Sequence, residues 1–153
     1  MLSGLSIDVL ALFVFLAGFV IGQGAVIVID WHGFLAKKSS YWTEATTRSH
    51  KVTKPLIWLG ILLAIFGGVV FYRNESLSGI PFYHSILATI LILNGLFLSF
   101  SVSPFLLERE KAGRSAELLP QKWQLKITLS FIISFIGWWS ALFLLAYYLI
   151  MLK

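Results

Sequence analysis

The amino-acid sequence predicts an all-α integral membrane protein, built as a bundle of four transmembrane helices. Four long apolar runs cover residues 9–29, 55–72, 82–103 and 127–152, and short polar segments separate them. A hydrocarbon core about 30 Å thick needs roughly 20 apolar residues of helix, because no water is present there to satisfy exposed backbone groups. Ten of the twelve Lys and Arg residues fall in two of the polar segments, residues 30–54 and 104–126, and this asymmetry is typical of polytopic membrane proteins.

The composition agrees with this fold class and limits the function classes. Hydrophobic residues make up 58% of the chain and charged residues only 12%, far from an ordinary soluble domain. The two polar segments are too short to bury cores of their own, so we expect residues 1–153 to form a single transmembrane domain. The lack of cysteine excludes disulfides and thiolate metal sites, and we predict no metal site.

The first two spans carry small residues at helical spacing. The first span is expected to be retained rather than cleaved as a signal peptide, because residues 1–7 contain no Lys or Arg. It carries Gly18 and Gly22 one turn apart, and the second span carries Gly60 and Gly67 two turns apart. Such pairs let helix backbones approach closely, which predicts tight packing; the alternative is room for a flat cofactor or a lipid.

The third span carries an amide near its middle, and the fourth carries a small face. The amide is Asn94, and the small face consists of Ser130, Ser134 and Gly137. An amide in hydrocarbon must find hydrogen bonds, so Asn94 either fastens neighbouring helices or belongs to a polar path for a ligand or ion. We expect Gln23 of the first span to be its neighbour across the bundle.

The two basic segments set the predicted topology. They carry Lys37, Lys38, Arg48, Lys51, Lys54, Arg109, Lys111, Arg114, Lys122 and Lys126. Both should be cytoplasmic loops, which places the N- and C-termini on the outer side. We expect residues 39–54 to lie along the inner surface, partly as an amphipathic helix with Trp42 directed toward lipid. The alternative is a lid over a pocket formed by His32, Asp30 and Gln23.

These features predict a multi-pass protein of a prokaryotic inner (plasma) membrane. Its partners should be the lipid bilayer and the anionic lipids of the inner leaflet, which attract the basic segments. The glycine faces could also pack against a partner membrane protein or a second copy of the chain. The sequence contains no nucleic-acid-binding motif, and we expect no nucleic-acid partner.

The three histidines are the candidate cofactor ligands. His32 follows the first span and His50 precedes the second, so both belong to the inner boundary, whereas His84 begins the third span at the outer boundary. A single haem with two histidine ligands could join His32 to His50 but could not join either to His84. The alternative, which the sequence favours, is that each histidine is an ordinary interfacial residue.

Catalytic signatures are nearly absent from the chain. There is no nucleophile elbow, no HExxH pair, no Walker loop and no glycine fingerprint after a strand, which makes hydrolysis or phosphoryl transfer of the soluble type improbable. No Asp or Glu lies well inside a span, where a proton-coupled carrier usually places one. The sequence alone leaves open whether the protein is an enzyme, and it favours a protein without catalytic residues.

The order of these features resembles the four-helix membrane proteins related to copper resistance protein D (CopD) and the HemJ-type protoporphyrinogen oxidases. The resemblance is carried by GQGAVIVIDWHGF at the end of the first span and by RSHKVTKPLIWLG at the start of the second. It is also carried by ILILNGLFLSFSVSPFL in the third span and ISFIGWWSALFL in the fourth, which look most like an uncharacterised subgroup of these proteins.

The resemblance implies a four-helix core that can hold haem, with His32 matching a histidine at the end of the first span. The HemJ-type pattern has an Arg shortly before that histidine and a Lys early in the third span. In this chain Asp30 and Trp31 precede His32, and the third span has no Lys.

Three hypotheses for function follow from the sequence. The first is a non-enzymatic four-helix module or accessory subunit. The second is a haem-binding redox protein or a porphyrin-oxidising enzyme that uses His32 or His84. The third is small-solute transport through a polar site at Gln23 and Asn94.

Overall fold

The computed structural model describes residues 6–151, which form helices and contain no strand. The helices are α1 (Ile7–Ala36), α2 (Ser40–Phe71), α3 (Gly79–Phe97), α4 (Ser103–Lys111) and α5 (Gln121–Met151), and a π-helical segment, Leu98–Val102, joins α3 to α4. Since α3, the π segment and α4 follow one another without a break, they form one rod, Gly79–Lys111. Within residues 6–151, four helical rods are therefore long and apolar enough to cross a membrane, which confirms the prediction of an all-α protein with four spans. The predicted end of the last span, residue 152, lies outside the described residues.

The helices extend well beyond the apolar runs. The segment 30–54, expected to be a loop along the surface, is almost entirely helical, and only residues 37–39 separate α1 from α2. Residues 40–54 continue directly into the second span, so Pro55 lies inside a helix rather than at its start. Threonine hydroxyls at the start of α2 donate to carbonyls four residues earlier, and the Thr43 hydroxyl also reaches the carbonyl of Ala36 at 3.0 Å. The bond from Thr43 to Ala36 closes the turn between α1 and α2.

Successive rods run in opposite directions, so the connection of the first rod to the second and that of the third to the fourth lie at the same end of the bundle. Because these connections carry the basic segments, the two ends differ in charge. At the end where α1 meets α2, which we call the basic end, Lys51 of α2 pairs with Glu110 of α4 at 2.7 Å. At the other end, which we call the hairpin end because α2 turns into α3 there, Arg73 pairs with Asp8 at 2.6 Å. Both basic segments of the sequence lie at the basic end.

Glycines hold α1 against α2. A methyl group added at Gly60 would overlap the backbone of Gly22, and one added at Gly18 would overlap the backbone of Ala64. A side chain at Gly67 would meet the backbone of Phe15 in the same way. The predicted close approach of the first two spans through their small residues is therefore confirmed.

Polar side chains hold α3 against α5. The Asn94 amide nitrogen donates to the Ser130 carbonyl at 3.1 Å and to the Ser134 hydroxyl at 2.9 Å. The Ser130 hydroxyl donates in return to the Asn94 amide oxygen at 2.6 Å. Asn94 is thus an interhelical fastener to α5, and none of these bonds goes to Gln23 of α1.

The contact between α2 and α3 is much sparser than the contacts within the two tight pairs, α1 with α2 and α3 with α5. We call this interface the seam. The indole of Trp58 crosses it and donates to the hydroxyl of Ser99 at 3.0 Å. Gly95 lies against the same indole, where an added methyl group would sit 3.4 Å from the ring. Two cavities lie along this loosely packed seam, and a more open hollow lies between α3 and α5.

Candidate functional site

Two cavities lie along the seam, one toward each end of the bundle. The hairpin-end cavity has a volume of about 270 Å³ and the basic-end pocket about 100 Å³. Ile61 and Leu91 line the first, whereas Trp58 and Gly95 line the second. These four residues of α2 and α3 form the wall between the two cavities.

The hairpin-end cavity is apolar, and all four rods contribute to it. Its inner wall carries aromatic rings, namely Phe15, Phe19 and Trp138, which are all buried. Val69 of α2 and Leu77 before α3 also line it, and these two side chains are 67% and 73% exposed. Because the exposed residues lie on both sides of the seam, the cavity opens sideways, toward the position that lipid takes around a membrane protein.

A hydrogen-bonded chain forms the polar edge of this cavity. The Nε2 of His84 lies 2.8 Å from the carbonyl of Ala141, and a carbonyl only accepts, so Nε2 carries the proton. The Nδ1 of His84 then accepts from the hydroxyl of Tyr72 at 3.0 Å. Next to this pair, the Tyr148 hydroxyl donates to Glu75 at 2.9 Å. Both ring nitrogens of His84 are therefore occupied.

The basic-end pocket has a different chemistry. It is lined by Asp30 of α1, by His50 and Lys54 of α2, and by hydroxyl-bearing residues from several elements, namely Thr46, Thr53, Ser99, Ser103 and Ser130. One carboxylate oxygen of Asp30, Oδ2, is buried and has no hydrogen-bond partner among the described residues. The Nδ1 of His50 donates to the Thr47 carbonyl at 2.5 Å, which leaves its Nε2 as an acceptor.

Most of the residues that the sequence analysis assigned to one pocket, His32, Asp30 and Gln23, do not share a cavity in the structure. His32 lines neither cavity; its ring packs on Trp42 at 5.3 Å between centroids, and its Nδ1 is buried without a partner among the described residues. Trp42 is consequently half-buried against α1 rather than directed toward lipid. Gln23 is buried but lines neither cavity, and His84 lies at the opposite end from His50, as the sequence predicted.

Several residues of the two cavities escaped the sequence analysis. Asp30 was considered only for a pocket with His32, yet it shares its pocket with His50. Tyr72 and Tyr148 lie near the ends of their spans, where aromatic residues are common, and nothing in their spacing indicated hydrogen bonds to His84 and Glu75. The π segment beside the basic-end pocket left no sequence signal that we recognised, although such segments occur frequently at functional sites.

The described cavities do not fit a haem. His84 borders the larger cavity, but an axial ligand needs a free ring nitrogen and both of its nitrogens are hydrogen-bonded. His50 has a free Nε2, but its pocket of about 100 Å³ is much smaller than a porphyrin ring. His32 and His50 share no cavity, so the geometry offers no pair of histidine ligands.

Fold and cavities together define a class, a polytopic four-helix membrane protein with an open seam between its second and third rods. No protein-family model, no curated protein and no solved structure matches the chain. The resemblance to the CopD-related and HemJ-type proteins stays a prediction.

Proposed function

We propose that the protein is a non-enzymatic membrane module that binds a small apolar or amphiphilic molecule entering sideways from the bilayer. The observation that supports this function is the hairpin-end cavity, an apolar space of about 270 Å³ with its mouth between α2 and α3. Concave apolar sites with a few polar groups at one edge are typical of small-molecule binding.

The size and lining of the cavity suit a small apolar group. A space of about 270 Å³ lined mostly by aliphatic and aromatic side chains can take part of an acyl chain, an isoprenoid or an aromatic ring. Such a group would lie in van der Waals contact with Phe19 and Trp138.

The polar edge orients such a molecule. His84 and Tyr72 already have hydrogen-bond partners, so neither requires a hydrogen bond from the ligand. The apolar portion of the ligand can therefore lie against them. Glu75 stands at the mouth and uses one carboxylate oxygen, Oε1, for Tyr148. The head group of an amphiphile would therefore lie near Glu75, at the hairpin end.

We place the basic end on the cytoplasmic side and the hairpin end on the outer side of a prokaryotic plasma membrane. Lys and Arg near short connections remain on the cytoplasmic side during insertion, and all ten basic residues of the two connecting segments lie at the basic end. The same residues would face the anionic inner leaflet.

Photo-crosslinking tests the binding function. The protein, reconstituted in nanodiscs with a C16 alcohol that carries a mid-chain diazirine, should be labelled at Phe19 and Trp138, which are only 4% and 3% exposed. Ala88→Phe fills the cavity and should reduce this labelling at least tenfold. The matched variant Ala146→Phe, on an exposed position of α5, should leave it within twofold. Labelling confined to lipid-facing residues such as Phe143, and unchanged by Ala88→Phe, would refute the proposal.

A further inference from the structure

We propose that the basic-end pocket is a binding site for a small monovalent cation, either an alkali metal ion or ammonium. This site is separate from the hairpin-end cavity and does not depend on the function proposed for that cavity. The inference starts from Asp30, whose buried Oδ2 has no hydrogen-bond partner among the described residues. A buried carboxylate oxygen without a donor is costly, so this oxygen needs a cation or a hydrogen-bond donor beside it.

The polar groups that line the pocket are mostly acceptors, because their protons are already engaged elsewhere. The Thr46 hydroxyl donates to the carbonyl of Trp42 at 2.8 Å, and the Thr53 hydroxyl donates to the carbonyl of Ser49 at 3.1 Å. A hydroxyl that has given its proton to its own helix retains only lone pairs for a ligand. Both threonines therefore offer oxygen acceptors to the pocket.

His50, also on α2, follows the same pattern, since it gives its Nδ1 proton to the Thr47 carbonyl and its Nε2 is an acceptor. On α5, the Ser130 hydroxyl gives its proton to Asn94. The Ser99 hydroxyl accepts from the indole of Trp58 and keeps its own proton. Carboxylate, hydroxyl and imidazole lone pairs around one small space form the environment that a cation requires.

The charges that line the pocket favour a monovalent over a divalent cation. Asp30 is the only carboxylate among the lining residues. Lys54, the only lysine or arginine among them, repels a divalent ion more strongly than a monovalent one. Lys51, about one helical turn before Lys54 on α2, pairs with Glu110 instead. The volume of about 100 Å³ admits Na⁺, K⁺ or ammonium, whereas the charge of choline is covered by methyl groups and cannot be coordinated by oxygen lone pairs.

The π segment supplies part of the same wall. Leu98, Ser99 and Val102 all line the pocket, so the irregular turn of the third rod lies directly beside Asp30 and His50. In membrane proteins, irregular helix turns at depth are tolerated where they border a cavity, and their carbonyls frequently coordinate ions. The position of this turn is an observation independent of the unpartnered carboxylate.

Equilibrium binding of ²²Na⁺ to the purified full-length protein in detergent tests the site. We expect saturable binding that unlabelled Na⁺, K⁺ or ammonium displaces and that choline, at the same ionic strength, does not. Preferential displacement by ammonium would identify ammonium as the ligand. Preferential displacement by Na⁺ or K⁺ would identify an alkali metal ion as the ligand. Absence of saturable binding, or displacement by choline as effective as by Na⁺, would overturn the proposal.

Variants locate the site. Asp30→Asn should lower the affinity at least tenfold, whereas Glu108→Gln, an exposed carboxylate at the same end without an ion pair among the described residues, should leave it unchanged. Thr53→Val keeps the shape but removes an oxygen, and it should weaken binding severalfold. Lys54→Met should strengthen binding. If Asp30→Asn fails to fold, the Thr53→Val variant becomes the test of the site. An affinity for ²²Na⁺ equal to that of the wild type in this variant would reject the site.

Discussion

Replacing Asn94 by leucine separates its role as a fastener from a role in transport. Three hydrogen bonds join this amide to Ser130 and Ser134. Side-chain hydrogen bonds between membrane helices contribute roughly 0.6 kcal/mol each, so losing three should lower the free energy of unfolding by about 2 kcal/mol. Leucine has a similar volume and creates no large cavity, but it also leaves the Ser130 hydroxyl without its partner, which adds to the loss.

The assay is equilibrium unfolding of the purified protein in mixed micelles, followed by helical circular dichroism. Leu93→Ala is the comparison, because Leu93 is 60% exposed on the lipid-facing side of the same helix and should cost less than 1 kcal/mol. A double-mutant cycle of Asn94→Leu with Ser130→Ala should show a coupling of about 1 kcal/mol, since the two side chains bond each other.

An Asn94→Leu variant as stable as the wild type, with no coupling to Ser130→Ala, would show that the fastener assignment is wrong. Small-solute transport past Gln23 and Asn94 predicts that opposite pattern, in which uptake is lost and stability is retained. The amide is already saturated by α5, so a solute could reach it only by breaking these bonds.

Three further predictions follow from the packing, the polar edge and the charge asymmetry. Gly60→Val forces a side chain against the backbone of Gly22 and should lower the free energy of unfolding by about 3 kcal/mol in the same assay, whereas Gly33→Val, with open space around it, should cost less than 1 kcal/mol. Tyr72→Phe removes the donor to His84 and should cost about 1 kcal/mol by equilibrium unfolding, but Tyr83→Phe, which breaks no hydrogen bond among the described residues, should cost nothing measurable. Because the chain lacks cysteine, Lys38→Cys can be labelled alone, and an impermeant maleimide should react with it only after intact cells are opened; labelling from outside intact cells would reverse the proposed orientation.

Hydrophobicity and small-residue spacing were enough to predict the spans and the way the first two pack. Each of the four rods contains one of the predicted apolar runs as far as the described residues extend, and Gly18, Gly22 and Gly60 meet as expected. These features depend on local composition and on a simple geometric rule, that a close backbone approach needs residues without bulky side chains. The sequence also predicted that Asn94 needs hydrogen bonds. It did not predict which residues provide them, because the pairing depends on which helix faces α3.

The arrangement of the candidate site was not predictable from the same information. Asp30 and His32 are two positions apart, so their side chains leave α1 about 200° apart and cannot enter one pocket. The polar residues 39–54 were expected to lie along the inner surface, only partly helical, since no apolar run covers them. Residues 40–54 instead continue into the second span as one helix, with Pro55 in its interior. Hydropathy locates the apolar part of a helix but not the polar turns that extend it.

The seam is loosely packed because the close contacts and hydrogen bonds of each tight pair of helices are made within that pair. Glycine contacts complete the α1–α2 interface, and the amide and imidazole bonds of the third rod are directed to α5, at Ser130 and Ala141. Little is then left to join the second rod to the third beyond the hydrogen bond of Tyr72 to His84 at the hairpin end, the indole of Trp58, and the ion pair of Lys51 with Glu110 at the basic end. A membrane adds no hydrophobic force that would close this gap, because lipid chains solvate the helix faces as well as protein does. The space that remains is therefore available to a ligand, and the same weak interface that leaves room for one also gives it a way in from the bilayer.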